Sequence, residues 1–246
     1  EIEALFHLGL AGVFTFLLVR QLTGRGDAGL LAGVAFSLSG LLTSYPLLQL
    51  TILEAAVWLP ASIWLLELAL QRHSLRLAAI AGVALGCSLL AGHPQTSLYI
   101  ALVVGGYILT RVISHLDECV FVMVTALLAC GIALGLSAAQ WLPSIELAAV
   151  STRSQLPYEQ LSGGFGLSAL WGLLRPNPGE WSPLYVGIVP LCLAIVGLSI
   201  SRVEVRFWAI TATVALLLSL GRHGLLYPLL YSLIPGAALF RGQERA

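Results

Sequence analysis

Few polar residues of this chain could do chemistry, and several of them flank turns between apolar runs. His93 and Gln95 lie in the stretch LLAGHPQTSLYI, where Gly92 and Pro94 would be enough to make a turn. A histidine can donate to a phosphate or accept a hydroxyl proton near neutral pH. A glutamine side chain both donates and accepts hydrogen bonds. The stretch predicts either a simple turn or one wall of a polar site.

Three further charged residues could belong to the same site. Glu146 follows the stretch QWLPSI, and Arg153 and Arg175 bracket much of a segment rich in proline and glycine. Arginine suits phosphate because its planar fork donates two parallel hydrogen bonds. The simpler interpretation is an interfacial carboxylate and two solvated or headgroup-paired arginines. The sequence shows no Walker loop, zinc-protease motif or nucleophile elbow.

The surroundings of these residues are strongly apolar. Hydrophobic residues make up 58% of the chain, charged residues 10%, and the mean hydropathy is +0.93. Soluble domains carry about 25% charged residues, so we predict an all-α, polytopic bundle of transmembrane helices. Twelve basic and twelve acidic residues balance, which leaves no basic patch for nucleic acid. The four cysteines have no metal-ligand spacing, and we expect neither a metal nor a cofactor.

Apolar runs of about 20 residues can cross a bilayer, and we predict eight of them. The predicted spans cover residues 4–22, 28–45, 53–71, 76–92, 95–113, 119–141, 184–201 and 204–220. Pro60 falls inside the third span and predicts a kink. Glu67, near the other end of that span, can snorkel to the surface or pair with Arg72. The last stretch is broken by Pro228 and is predicted to be interfacial or re-entrant.

The spans divide the chain into three parts. Residues 1–141 form a bundle of six helices, residues 142–183 an extracytoplasmic loop, and residues 184–246 two further helices with the interfacial segment. Aromatic residues favour the membrane interface. Those of the loop therefore predict an ordered segment that lies against the membrane surface; they are Tyr158, Phe165, Trp171 and Trp181.

Several stretches, taken in order along the chain, resemble a known family. They are AGHPQTSLYI, AAQWLPSIELAAVSTR, LLRPNPGEW, PLYVGIVPLCLA and LYPLLYSLIPGAALFRGQER. Together they resemble the bacterial YfhO-like membrane proteins, which are similar to the GT-C glycosyltransferases. The resemblance implies a multi-pass protein of the bacterial cytoplasmic membrane. Its implied activity is transfer of a sugar from a polyprenyl-phosphate carrier to an acceptor on the outer face.

The resemblance also implies a set of substrate-binding residues. The candidates in the matching stretches are His93, Gln95, Glu146, Arg153, Arg175, Tyr185, Arg241 and Arg245. In that superfamily a carboxylate of the first extracytoplasmic loop takes the proton from the acceptor hydroxyl. The chain opens with EIEALFHLG and no methionine, and we expect it to be a portion of a longer protein that starts after that loop. The catalytic base is therefore not assigned to any residue here.

Two other functions remain open. A non-catalytic membrane subunit, packed in a larger membrane complex, would suit the glycine-rich helices, because small residues let helices approach closely. A transporter is a third possibility, although few ionisable residues fall in the centres of the predicted spans. An acidic residue in an outward loop of the preceding sequence would favour the enzyme.

The arginines predict the orientation in the membrane. Short links on one side, residues 24–27, 72–76 and 111–118, carry arginine, whereas the short links 46–52 and 92–95 on the other side carry none. Since short cytoplasmic links are enriched in basic residues, the first group is predicted to be cytoplasmic. His93 and residues 142–183 then face outward.

We predict that a cysteine at Ser74, in an otherwise cysteine-free chain, stays unlabelled by a membrane-impermeant thiol reagent in intact cells. The matched control is Ser168→Cys, in the predicted outward loop, which the same reagent should label. Labelling at position 74 before the cells are opened would reverse the orientation.

Overall fold

The fold is that of a computed structural model, which describes residues 2–43, 49–150, 158–176, 182–200 and 202–233. Within these ranges the chain is helical and has no strand, which confirms the predicted all-α class. The first helices are α1 (Ile2–Thr23), α2 (Gly26–Ser37), α3 (Gly40–Thr43), α4 (Leu50–Ala56), α5 (Trp58–Gln71), α6 (Leu75–Leu90) and α7 (Pro94–Ser114). They are followed by α8 (Cys119–Leu136), α9 (Ala138–Val150), α10 (Tyr158–Leu161), α11 (Ile188–Gly197), α12 (Val203–Ser219) and α13 (Leu226–Leu233). Three 3₁₀-helices cover Leu116–Glu118, Leu167–Leu173 and Gly221–His223.

Five helical stretches in the described part of the chain are long and apolar enough to cross a membrane. They are Ile2–Thr23, Gly26–Thr43, Leu50–Gln71, Pro94–Ser114 and Leu116–Leu136. Shorter apolar helices, Leu75–Leu90, Ile188–Gly197 and Val205–Ser219, occupy the positions of the other three predicted spans. These lengths and compositions indicate a membrane protein.

The stretch Leu50–Gln71 is the centre of the bundle. In its most apolar window 67% of the residues are buried, against 17% to 22% in the other four long stretches. Its second part, α5, packs against α1, α6, α7 and α8. The stretch is interrupted at Val57, where α4 ends and α5 begins. Pro60 explains the position of this break, because proline has no N–H to donate to the carbonyl one turn earlier.

Two predicted boundaries are wrong. The loop predicted to begin at residue 142 begins later, because α9 continues to Val150 with Pro143 inside it. A helix can hold an internal proline if one backbone hydrogen bond is given up. The true break comes earlier, at Ser137, whose carbonyl accepts from the N–H groups of Gln140 and Trp141. The seventh predicted span is also too long, since α11 covers only Ile188–Gly197.

Glycines allow the helices of the bundle to approach closely. A Cβ atom at Gly33 of α2 would lie 2.6 Å from the carbonyl oxygen of Gly12 in α1. A Cβ atom at Gly82 of α6 would lie 2.6 Å from the carbonyl oxygen of Ala129 in α8. Both distances are shorter than van der Waals contact, so these two helix pairs depend on glycine. In a membrane, such close packing replaces the hydrophobic effect as a source of helix association.

We predict that Gly82→Ala destabilises the protein by about 1–3 kcal/mol, because the added methyl group overpacks the contact with Ala129. The matched control is Gly135→Ala in α8, where a Cβ atom would meet nothing within 4 Å. That change should leave stability the same or raise it, since alanine favours a helix over glycine. The measurement is the free energy of unfolding in detergent micelles. Equal stability of the two variants would contradict the close packing.

Candidate functional site

The turn between α6 and α7 is built as the sequence predicts. Gly92 has a φ of +79°, in the left-handed region that favours glycine, and it follows the end of α6. Pro94 is the first residue of α7, where its missing N–H costs nothing. These two residues fix the path of the chain at the predicted outward surface.

His93 also takes part in this turn, which the sequence prediction did not expect. It is the N-cap of α7, and its Nδ1 accepts a hydrogen bond from the backbone N–H of Thr96 at 3.2 Å. The same Nδ1 lies 2.8 Å from Thr96 Oγ1. A capping side chain satisfies one of the N–H groups that have no partner inside the helix. His93 therefore has a local structural role, whatever else it does.

Gln95 points into the bundle. The residue is 6% exposed, and its Nε2 donates to the hydroxyl of Tyr99 at 2.9 Å. Nearby, the Ser97 hydroxyl donates to the carbonyl oxygen of Ser88 at 2.8 Å and so joins α7 to α6. Gln95 thus belongs to the polar packing between α6 and α7 near the turn that joins them.

Three other predicted site residues lie on the surface or at its edge. Glu146 is exposed on α9, and Arg175 is exposed just after the 3₁₀-helix Leu167–Leu173. Tyr185 is half-buried, and its carbonyl oxygen accepts from the N–H of Gly40 at 2.8 Å. A Cβ atom at Gly40 would overlap the carbonyl oxygen of Ser182, so only glycine permits this approach.

Arg153, Arg241 and Arg245 lie outside the described residues. The grouping of the eight candidates into one pocket stays a prediction, as does the division of the chain into three parts. Among the described residues, no group of histidine, cysteine, aspartate or glutamate side chains could hold a metal ion.

The described part of the predicted outward loop is an ordered structure. The N–H of Phe165 donates to the carbonyl of Ser219 at 2.9 Å, and the N–H of Arg222 donates to the carbonyl of Ser162 at 2.9 Å. Gly164 approaches so closely that a Cβ atom there would lie 2.5 Å from the backbone of the facing segment. Leu161 is 1% exposed at this contact. The loop is thereby joined to the end of α12.

Tyrosine rings extend the same contact. The ring of Tyr158 stacks on that of Tyr227 with centroids 6.2 Å apart, and it meets the edge of Tyr231 at 4.8 Å. Aromatic pairs at such distances stabilise a fold beyond the contribution of the apolar area that they bury. They connect α10 to α13, and the segments 158–166 and 219–231 form one small outward core.

A buried ion pair within the bundle is absent from the sequence prediction. Glu67 of α5 is 4% exposed, and its Oε2 lies 2.7 Å from Nη2 of Arg111 in α7. The hydroxyl of Tyr107 donates to the same oxygen at 2.5 Å, and Gln71 Nε2 donates to Oε1 at 2.7 Å. The prediction that Glu67 pairs with Arg72 is wrong, because its cation is Arg111 of another helix.

The geometry shows why this carboxylate can be buried. A charge in the apolar interior of a membrane is tolerated when it is paired and its hydrogen bonds are satisfied. Both oxygens of Glu67 accept from donors, and Arg111 lies in the last turn of α7, where the helix dipole favours a cation. Tyr107 and Arg111, one helical turn apart, share a face of α7. That spacing was the only signal available in the sequence.

A small open groove lies beside this network, between α7 and α12. The residues that line it are Tyr107, Thr110, Arg111, Ser114, Val203 and Phe207. The ring of Phe207 packs against that of Tyr107 with centroids 5.6 Å apart. The hydrogen bonds and ion pair of the network thus join α5 to α7, and the ring contact with Phe207 packs α12 against them.

No protein-family model, curated protein or solved structure matches the chain. The resemblance to YfhO-like proteins therefore depends on the quoted stretches alone.

We predict that Arg111→Met lowers the free energy of unfolding by about 3–5 kcal/mol, because it leaves the Glu67 carboxylate buried without its cation. The double variant Glu67→Leu with Arg111→Met should lose less free energy of unfolding than the sum of the losses in Glu67→Leu and Arg111→Met alone. The free energies are measured in detergent micelles. The control is Asp27→Asn in the exposed pair Arg25–Asp27, which should change the free energy of unfolding far less, because water screens an exposed pair. Additive losses would show that the buried pair is not coupled.

Proposed function

We propose that the protein is a glycosyltransferase-like enzyme of the bacterial cytoplasmic membrane. It transfers a sugar from a polyprenyl-phosphate carrier to an acceptor on the extracytoplasmic side. The main support in the structure is the ordered part of the predicted outward loop, which a backbone hydrogen bond from Phe165 ties to the end of α12 at Ser219. Such a segment can cover a reaction that takes place at the surface of a bilayer.

The chemistry of the donor explains why such an enzyme needs a covering segment at the bilayer surface. A polyprenyl tail stays in the lipid, so its phosphate and sugar are held in the headgroup layer. An enzyme for this donor needs cations at that level to neutralise the phosphate, and walls that exclude water from the reacting carbon. Arg175 is exposed at the end of the 3₁₀-helix Leu167–Leu173, within the outward segment. Its guanidinium is suited to a phosphate as a bidentate donor.

The capping hydrogen bond limits the role of His93. Because Nδ1 accepts from the N–H of Thr96, the imidazole is neutral and carries its proton on Nε2. In this state Nε2 donates a hydrogen bond and does not accept a proton. We therefore assign His93 to the phosphate of the donor, as the group that stabilises the leaving charge. The catalytic base remains unassigned.

A specific observation favours the non-catalytic subunit as the second candidate. Residues 142–147 of α9 are all exposed, so well over one turn of this helix is uncovered on every side. The apolar residues among them include Leu142, Ile145 and Leu147. A helix of this kind suits a contact with another protein in the membrane.

The test of the proposed function is sugar transfer by the purified full-length protein in lipid vesicles that contain polyprenyl-phosphate sugars with a labelled sugar. We predict that His93→Asn folds normally, because asparagine is also a good N-cap, but loses the Nε2 donor. Transfer should fall about tenfold for each ~1.4 kcal/mol of transition-state stabilisation that is lost.

The outcomes separate the candidates. If the unmodified protein transfers no labelled sugar from any of these donors, the enzyme is excluded and the subunit is favoured. If the unmodified protein is active and His93→Asn is equally active, His93 serves only as the cap of α7. His93→Ala is the less useful variant, since loss of the cap alone costs about 0.5–2 kcal/mol.

A further inference from the structure

Large apolar side chains are exposed on the ordered outward segment. Trp171 is 73% exposed and Leu174 is 53% exposed, and Leu167 at the start of the same 3₁₀-helix is 64% exposed. Side chains three residues apart eclipse one another in a 3₁₀-helix, so Trp171 and Leu174 share a face. Exposed apolar surface of this kind marks a place where something other than water is bound.

The attachment of the 3₁₀-helix Leu167–Leu173 places its start near the C-terminal end of α12, which has an exposed apolar face. On α12, Ile210, Val214 and Leu217 are exposed at the spacing of one helical face. Helix α12 ends at Ser219, and the carbonyl of Ser219 accepts a hydrogen bond from the N–H of Phe165. Leu167 follows Phe165 by two residues, and a chain advances at most about 3.6 Å per residue. The 3₁₀-helix therefore begins at the level of the C-terminal end of α12.

The same apolar surface continues on the other side of this junction. Leu225 follows the 3₁₀-helix Gly221–His223 and is 90% exposed, and Leu229 of α13 is 54% exposed. Exposed apolar side chains thus occur both before and after the junction at Ser219. Arg175 is exposed immediately after Leu174, where a guanidinium can reach lipid phosphates while the apolar residues lie deeper.

We propose that Leu167–Leu173 is a membrane-surface anchor that lies in the headgroup layer of the outer leaflet. Its occupant is the lipid of that leaflet. Trp171 and Leu174 enter the boundary between headgroups and acyl chains, and Arg175 remains at the phosphates. Tryptophan prefers this boundary because its ring has an apolar body and a polar N–H. An amphipathic helix that lies flat in the interface has the same division of residues. The anchor does not depend on the chemistry of the proposed function.

Spin labels in the full-length protein test this proposal. In a cysteine-free variant reconstituted in phosphatidylcholine vesicles, a nitroxide is attached at Trp171→Cys, Leu174→Cys or Leu225→Cys. The control is Gln160→Cys, an exposed polar position in the same outward core. Collisions with oxygen report lipid, and collisions with a water-soluble nickel chelate report water. All four positions are exposed, so labels there should not disturb folding, which the thermal unfolding of each variant checks.

The ratio of oxygen to nickel collisions should exceed unity at positions 171, 174 and 225 and fall below unity at position 160. A ratio at positions 171 and 174 as low as that at position 160 would overturn the anchor, because the face that Trp171 and Leu174 share would then be in water. Protection from both reagents at positions 171 and 174 would also overturn it and would indicate a protein partner on this face.

Discussion

The bilayer leaves no water to satisfy a polar group, and this constraint governs the whole structure. Backbone groups are satisfied within helices, and a helix can be broken only where other atoms take over. At Ser137 one carbonyl accepts from two N–H groups, and at the turn before α7 the ring of His93 replaces a missing acceptor. The same constraint applied to side chains gives the buried pair of Glu67 and Arg111, in which a carboxylate is surrounded by donors.

The sequence predicts the fold well where apolar runs are long and end at turn residues. The spans that became α1, the stretch Leu50–Gln71 and α7 were placed within a few residues, because glycine, proline and arginine lie near their ends. Prediction failed at α9, because the segment from residue 142, which contains Pro143, was predicted to be a loop and its first part is helical. Proline lacks a donor but does not prevent a helix whose remaining bonds are intact. The outcome depends on packing and hydrogen bonds around the proline, which a single sequence does not contain.

The candidate site was only partly accessible from the sequence. Turn chemistry predicts Gly92 and Pro94, yet it does not reveal that the imidazole of His93 caps α7, since that depends on a side-chain rotamer. The partner of Glu67 was not predictable for a related reason. Arg72 is near in sequence, whereas Arg111 is near in space, and the choice between them is made by the packing of α5 on α7. Local sequence patterns predict individual helices and turns, whereas contacts between helices can be identified only once the fold is known.

The buried pair has a consequence for the biosynthesis of the protein. Glu67 lies in the third membrane-crossing stretch and Arg111 at the end of a later one, so a ribosome makes the carboxylate well before its cation. Until α7 is complete, α5 carries an acidic group that has no counter-charge in lipid. An ionised carboxylate in this position would oppose release of the helix from the insertion machinery. The nascent helices from α5 to α7 must therefore be kept together, away from lipid, until Arg111 lies beside Glu67.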